Sequence, residues 1–138
     1  VNLNISNIRA GLETNLSTIP GFQVSRYMLS NFTPPAIMIR PDNESAIEYG
    51  QAMGGGVKNI YMTVVAYVGT ASDIGAQKLL DNLIDDDLII DAIESDKTLG
   101  GACADLDVRE CRAYQEYARP DGSTVLGAEW TVFIIAGP

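Results

Sequence analysis

Apolar residues at Ile5, Ile8, Leu12 and Leu16 fall three or four apart, so the chain opens with an amphipathic helix whose Arg9, Glu13 and Asn15 point elsewhere. Asn2, Asn4 and Ser6 offer capping oxygens at its start, and Pro20-Gly21 stops it. From Phe22 to Met28 the period drops to two, which predicts a strand with Phe22, Val24 and Met28 on one side and Gln23, Ser25 and Tyr27 on the other. Pro34-Pro35 forces an extended entry into a short buried strand, Ala36-Ile37-Met38-Ile39, which Pro41-Asp42-Asn43 ends with turn chemistry. Between Asp42 and Gly56 the pattern weakens: Ala46 to Tyr49 can form a strand, but Gly50 and Gly54-Gly55-Gly56 predict a mobile connection. The clearest strand follows. Ile60, Met62, Val64, Ala66 and Val68 share one face, Tyr61, Thr63, Val65 and Tyr67 the other, and two such apolar faces place it centrally in a sheet.

Ser72 or Asp73 caps a second helical stretch carrying Leu79, Leu80, Leu83 and Ile84. Asp85-Asp86-Asp87 interrupts it before Leu88, Ile89, Ala92 and Ile93 resume the stripe, giving one kinked helix or two short ones. The chain closes with two long alternating segments, Asp105–Arg119 and Thr124–Ala136, joined through Pro120-Asp121-Gly122 as a hairpin. In the first of these Leu106 and Val108 occupy one parity and Cys111 and Ala113 the other, a switch that predicts a β-bulge near Arg109-Glu110. In the second, Leu126, Ala128, Trp130, Val132 and Ile134 keep one parity throughout. These elements define a single α+β domain over residues 1–138. It has a mixed, mostly antiparallel sheet of about five strands with helices packed on one face, closed by a long C-terminal β-hairpin.

Composition narrows the chemistry. At 46% hydrophobic and 20% charged the chain is that of a folded soluble domain, with no apolar run of the roughly 18 residues a membrane span needs and no signal peptide in view at Val1-Asn2-Leu3-Asn4. Eighteen acidic against nine basic residues give a formal charge of -9, opposite in sign to the basic footprint of a tight nucleic-acid binder. Such a surface is still compatible with DNA passing over it without sticking. There is no histidine, which removes the usual general base and the commonest transition-metal ligand. Cys103 and Cys111, if both in one strand, lie roughly 26 Å apart at about 3.3 Å per residue, whereas a disulfide needs Cα atoms roughly 4–7 Å apart; free thiols are expected.

Three features invite a chemical reading, and each has a plainer one. Asp81, Asp85, Asp86, Asp87, Asp91, Glu94 and Asp96 make an acidic cluster, but their spacing fits no EF-hand loop, so a solvated helix face is expected. Asp105, Asp107 and Arg109 share one strand face, where two carboxylates could hold a metal-bound nucleotide; a polar face turned to solvent, a neighbouring subunit or a channel explains them better. Gly54-Gly55-Gly56 lead through Val57-Lys58 into a strand rather than a helix, unlike a phosphate-binding loop. No cofactor or metal is implied.

The order of short signatures resembles the tail terminator (tail completion) proteins of long-tailed bacteriophages. The matching tokens are Gly11-Leu12 in the opening helix, Ile19-Pro20-Gly21, Pro34-Pro35-Ala36-Ile37, Tyr49 before the glycine-rich connection into Ile60–Val68, Ala76-Gln77-Leu79-Leu80, Thr98-Leu99-Gly100-Gly101, and Ala128-Glu129-Trp130-Thr131-Val132. The resemblance implies a non-enzymatic virion protein of the tail and neck, assembled in the host cytoplasm. It would form a hexameric ring on the head-proximal end of the tube, end polymerisation of the major tail tube protein and dock the head-closure or connector protein. DNA would pass through the lumen without specific binding. Under it, Asp105, Asp107, Arg109, Glu110 and Arg112 are candidates for the subunit interface or lumen, and Asp42, Asn43, Glu44, Glu48, Tyr49, Gly54, Gly55 and Gly56 for a docking loop. The alternatives are another neck or tail component, such as a head-closure or tube protein, and a carboxylate-based metal-dependent enzyme.

Overall fold

The computed structural model describes residues 4–29, 32–42, 47–49, 58–70, 72–119 and 122–135. Helix α1 spans Ile5–Leu16 and is capped by Asn4, whose side-chain oxygen accepts the Asn7 N–H at 3.0 Å. That bond satisfies one of the N–H groups a helix start leaves without an intrahelical partner. Ile8, Leu12 and Leu16 are buried, as the spacing predicts. Asn15, expected to point away, is buried too. Its amide donates to the Ile93 carbonyl at 2.9 Å and the Asp96 carbonyl at 3.1 Å, so it closes the open end of another helix rather than facing solvent.

The sheet runs in the order β1 (Gln23–Ser25), β2 (Ala36–Pro41), β4 (Lys58–Thr70), β6 (Thr124–Ile135) and β5 (Asp105–Ala118); a sixth short strand, β3 (Ile47–Tyr49), also pairs with β4. Among the described residues only β1 and β2 pair in parallel. β4 is central, as its two apolar faces require. β2 and β3 lie end to end along the side of β4 away from β6, and the Asp42 N–H, donating to the Tyr61 carbonyl at 3.0 Å, carries β2 one residue further towards β3. The segment Ile47–Tyr49 is therefore part of the sheet. β1 is shorter than the alternation from Phe22 to Met28 predicts. The Ser25 hydroxyl accepts the Tyr27 N–H at 3.2 Å and lies 2.8 Å from the Tyr27 carbonyl, a side-chain turn that leaves Tyr27 and Met28 exposed.

α2 (Ile74–Asp85) is capped by Asp73, which accepts the Gly75 N–H at 2.9 Å. A turn through Asp86 and left-handed Asp87 separates it from α3 (Leu88–Ile93), so the acidic interruption makes two helices. The helices pack on one sheet face. Ile37 and Ile39 of β2, the even-numbered residues of β4 from Ile60 to Val68 and of β6 from Leu126 to Ile134 meet Ile8, Leu12, Leu16, Leu80, Leu83, Ile89 and Ile93 in one core, with Trp130 at 1% exposure. Two features tighten this layer. Gly11 lets α1 approach Leu99, where a Cβ would lie 2.6 Å from the Leu99 Cβ. Cys103 is buried just before β5 rather than within it, and both thiols are free.

β5 and β6 form the long closing hairpin. The register slips between Val108 and Glu110, where the parity switch predicts a bulge. A second slip lies between Arg112 and Gln115, around Ala113 with a φ of 55°. An alanine gives no sequence signal for left-handed backbone, so that bulge was not legible.

Candidate interface on the helix-free sheet face

The face opposite the helices is assembled by register. β5 sets Asp107 against Phe133, Glu110 against Thr131 and Arg112 against Glu129 on β6. β6 in turn sets Phe133, Thr131 and Glu129 against Tyr61, Thr63 and Val65 on β4, and β2 sets Arg40 against Thr63. Two charges from the sheet interior, Arg40 and Glu129, are thereby brought beside two from its margin, Asp42 and Arg112.

They form a closed network. Arg40 donates to Glu129 at 2.8 Å, and Arg112 donates to Asp42 at 2.6 Å while lying 3.7 Å from Glu129 and 3.8 Å from Glu110. The Thr63 hydroxyl donates to Asp42 at 3.2 Å and the Tyr117 hydroxyl lies 3.3 Å from Glu129. The Asp42 and Glu129 side chains are only 9% and 12% exposed. Thr63 and Val65 are fully buried on a face that carries no helix, because long charged side chains lie flat over apolar surface while their heads pair with each other. Charges this sheltered persist only when paired and hydrogen-bonded, and here each is.

Aromatic clusters flank the network. At one end Phe32 stacks on Tyr67 at 4.9 Å, Tyr67 meets Tyr117 edge-on at 5.3 Å, and Arg119 lies over Phe32 at 4.5 Å. Leu29, Val125 and these side chains line a small cavity of about 120 Å³. Burial and the Glu129 carboxylate push the Tyr117 hydroxyl well above the usual phenol range, and the same two causes raise Tyr67. At the other end Tyr61 packs on Phe133 at 5.1 Å, and the Arg109 guanidinium lies 4.3 Å from the centre of the Phe133 ring.

The structure distributes the sequence candidates unequally. Asp107, Arg109, Glu110 and Arg112 all lie on this face, with Asp107 accepting from Arg109 at 3.2 Å; Asp105 is exposed at its margin. Asp42 lies just past the end of β2, where its N–H bonds the Tyr61 carbonyl and its carboxylate anchors the network. Glu48 and Tyr49 belong to β3, paired with Asn59 and Lys58, while Asn43, Glu44, Gly54, Gly55 and Gly56 lie outside the described residues. Arg40 and Glu129 were missed. The available signal was one isolated charge in each of two otherwise uncharged strands, with opposite signs.

Among the described residues no three carboxylates or thiols converge as a metal site. Several of the acidic cluster have local roles: Asp81 accepts from the Tyr114 hydroxyl at 2.7 Å, Glu94 from the Val108 N–H at 3.1 Å, and Asp96 from the Thr98 and Gly100 N–H groups. No helix in the described residues is long and apolar enough to cross a membrane. Neither a family model nor a curated protein matches this chain.

Proposed function

We propose that this chain is a non-enzymatic assembly protein of a long-tailed bacteriophage. Its subunits ring the head-proximal end of the tail tube, stop the tube protein from adding further, and present a surface to the head connector. The resemblance in element order supplies the family. The observation that carries the reading within the structure is the helix-free face. It presents Asp42, Asp105, Asp107, Glu110 and Glu129 against Arg40, Arg109 and Arg112, each of these three arginines already held by a carboxylate, while Arg119 at one end is held by the Phe32 ring and carbonyl. Gripping a phosphate backbone requires cations free to displace its counterions. A face with its three central guanidiniums internally neutralised and a net acidic excess suits a passage that a polyanion slides through.

A ring further needs contacts that repeat from copy to copy. The fourteen-residue β5, with β6 as its sole strand neighbour among the described residues, leaves one long edge for them. Inactivating the gene in its own phage genome tests the proposal: tubes of uncontrolled length without attached heads are expected. Tails of normal length with normal infectivity would refute it. Filaments of stacked rings from the purified chain, seen by electron microscopy, would point instead to a tube subunit.

A further inference from the structure

From the β5 edge we infer a second interaction that does not depend on the tail reading: two copies of this chain pair β5 against β5 in antiparallel, two-fold fashion, centred between Arg109 and Glu110. In a regular strand, faces alternate. A two-fold axis lying between two neighbouring residues would then oppose side chains that point to opposite faces, which antiparallel pairing forbids. The bulge removes that obstacle. Asp107 and Arg112 lie on the helix-free face opposite Phe133 and Glu129, and Val108 and Cys111 lie on the helix side opposite Val132 and Trp130. Between them Glu110 faces Thr131 and Arg109 reaches over Phe133, so both bulge residues are on the helix-free face. From Asp107 to Arg112 the faces therefore read the same in both directions.

The charges follow the same symmetry. In this register Asp107 meets the second copy's Arg112, Arg109 meets its Glu110, and Val108 meets its Cys111, each pair occurring twice. A slip of one step in either direction sets Arg109 against Arg109 or Glu110 against Glu110. A slip of two sets Asp107 against Glu110 or Arg109 against Arg112. Opposite charges directly across a ladder favour pairing and like charges oppose it. The side chains of Asp107, Arg109 and Glu110 are 49%, 52% and 56% exposed and so available to a partner. An edge bulge deters straight strands; only a strand bulged at the same place matches it, which a second copy is. Glu94, accepting the Val108 N–H, occupies the place of a partner carbonyl in the single chain. The pairing is therefore a weak, reversible one, exclusive of any ring contact through the same edge.

Val108→Cys tests it, with the short bis-thiol crosslinker dibromobimane read on a denaturing gel. Val108 and the second copy's Cys111 are directly opposed, so the variant is expected to yield a crosslinked dimer and the parent chain none. The dimer should be lost in Val108→Cys/Cys111→Ser. It should also be lost when Glu110→Arg is added to Val108→Cys, and return when Arg109→Glu is added as well, since that double swap restores opposite signs. Circular dichroism of each variant confirms that loss is not unfolding. No dimer from folded Val108→Cys, a dimer that persists without Cys111, or one indifferent to the charge swaps would overturn the proposal.

Discussion

Removing Glu129 should cost far more alone than together with Arg40. Their side chains are 12% and 17% exposed and bonded at 2.8 Å. Breaking a buried pair from one side costs about 3–5 kcal/mol, because a desolvated charge is left unpaired. Residual exposure lowers this for Glu129→Leu to about 2–3 kcal/mol. Arg40→Met should cost less, about 1–2 kcal/mol, since Glu129 retains Arg112 at 3.7 Å and the Tyr117 hydroxyl at 3.3 Å. The double variant removes both charges, leaves Arg112 on Asp42 at 2.6 Å, and fills the space with apolar atoms. Its cost should be about 1 kcal/mol, which makes the coupling roughly 2–4 kcal/mol. Urea unfolding with a shared slope resolves this, since about 1–3 kcal/mol per molar turns the difference into a midpoint shift on the order of 1 M. Asp107 and Arg109, about half exposed, serve as the control pair and should couple by less than about 0.5 kcal/mol. Costs that simply add for Arg40 and Glu129, or equal coupling in the control pair, would show that the network is not a sheltered unit.

Two further outcomes follow from the helix layer and from the acidity of buried groups. Gly11→Ala, which in an exposed helix interior would add about 1 kcal/mol of stability, should instead destabilise by about 1–3 kcal/mol, because the new Cβ meets the Leu99 Cβ at 2.6 Å and the Leu99 carbonyl at 3.0 Å; thermal unfolding reads the sign. Burial, with Asp105 and Asp96 nearby, pushes the Cys103 thiol up to about 11 from an ordinary 9.0. The fold thus favours the neutral thiol, and its contribution is fully present below pH 9.0 and lost as pH rises through about 11. Melting temperature should fall across that window and fall less steeply in Cys103→Ala, while Tyr117→Phe should soften the loss at higher pH; an unchanged slope in both would refute the assignment.

Legibility in the sequence tracked the distance over which each feature is decided. The α1 stripe, the central place of β4 and the bulge at Arg109-Glu110 all rest on periods of two or 3.6 residues, which one chain displays by itself. The early end of β1 is local too, but a serine hydroxyl competing with the ladder is easily overlooked within an alternating run. Asn15 was misjudged because its partners, the Ile93 and Asp96 carbonyls, lie on an element it meets only after folding.

The sequence alone determined the α+β class, the opening helix and the long strands, the single apolar parity of β6 that builds the core, and the absence of histidine. Tertiary structure alone decided the charge network on the helix-free face. Arg40 and Glu129 are 89 residues apart in the chain and Asp42 and Arg112 70 apart, and nothing in either local neighbourhood names the other. Alternation says which face a side chain occupies; only strand order and register say which charge stands beside it there. The same register gave the bulge its meaning, turning a parity switch into a stretch of edge with the symmetry to meet its own copy.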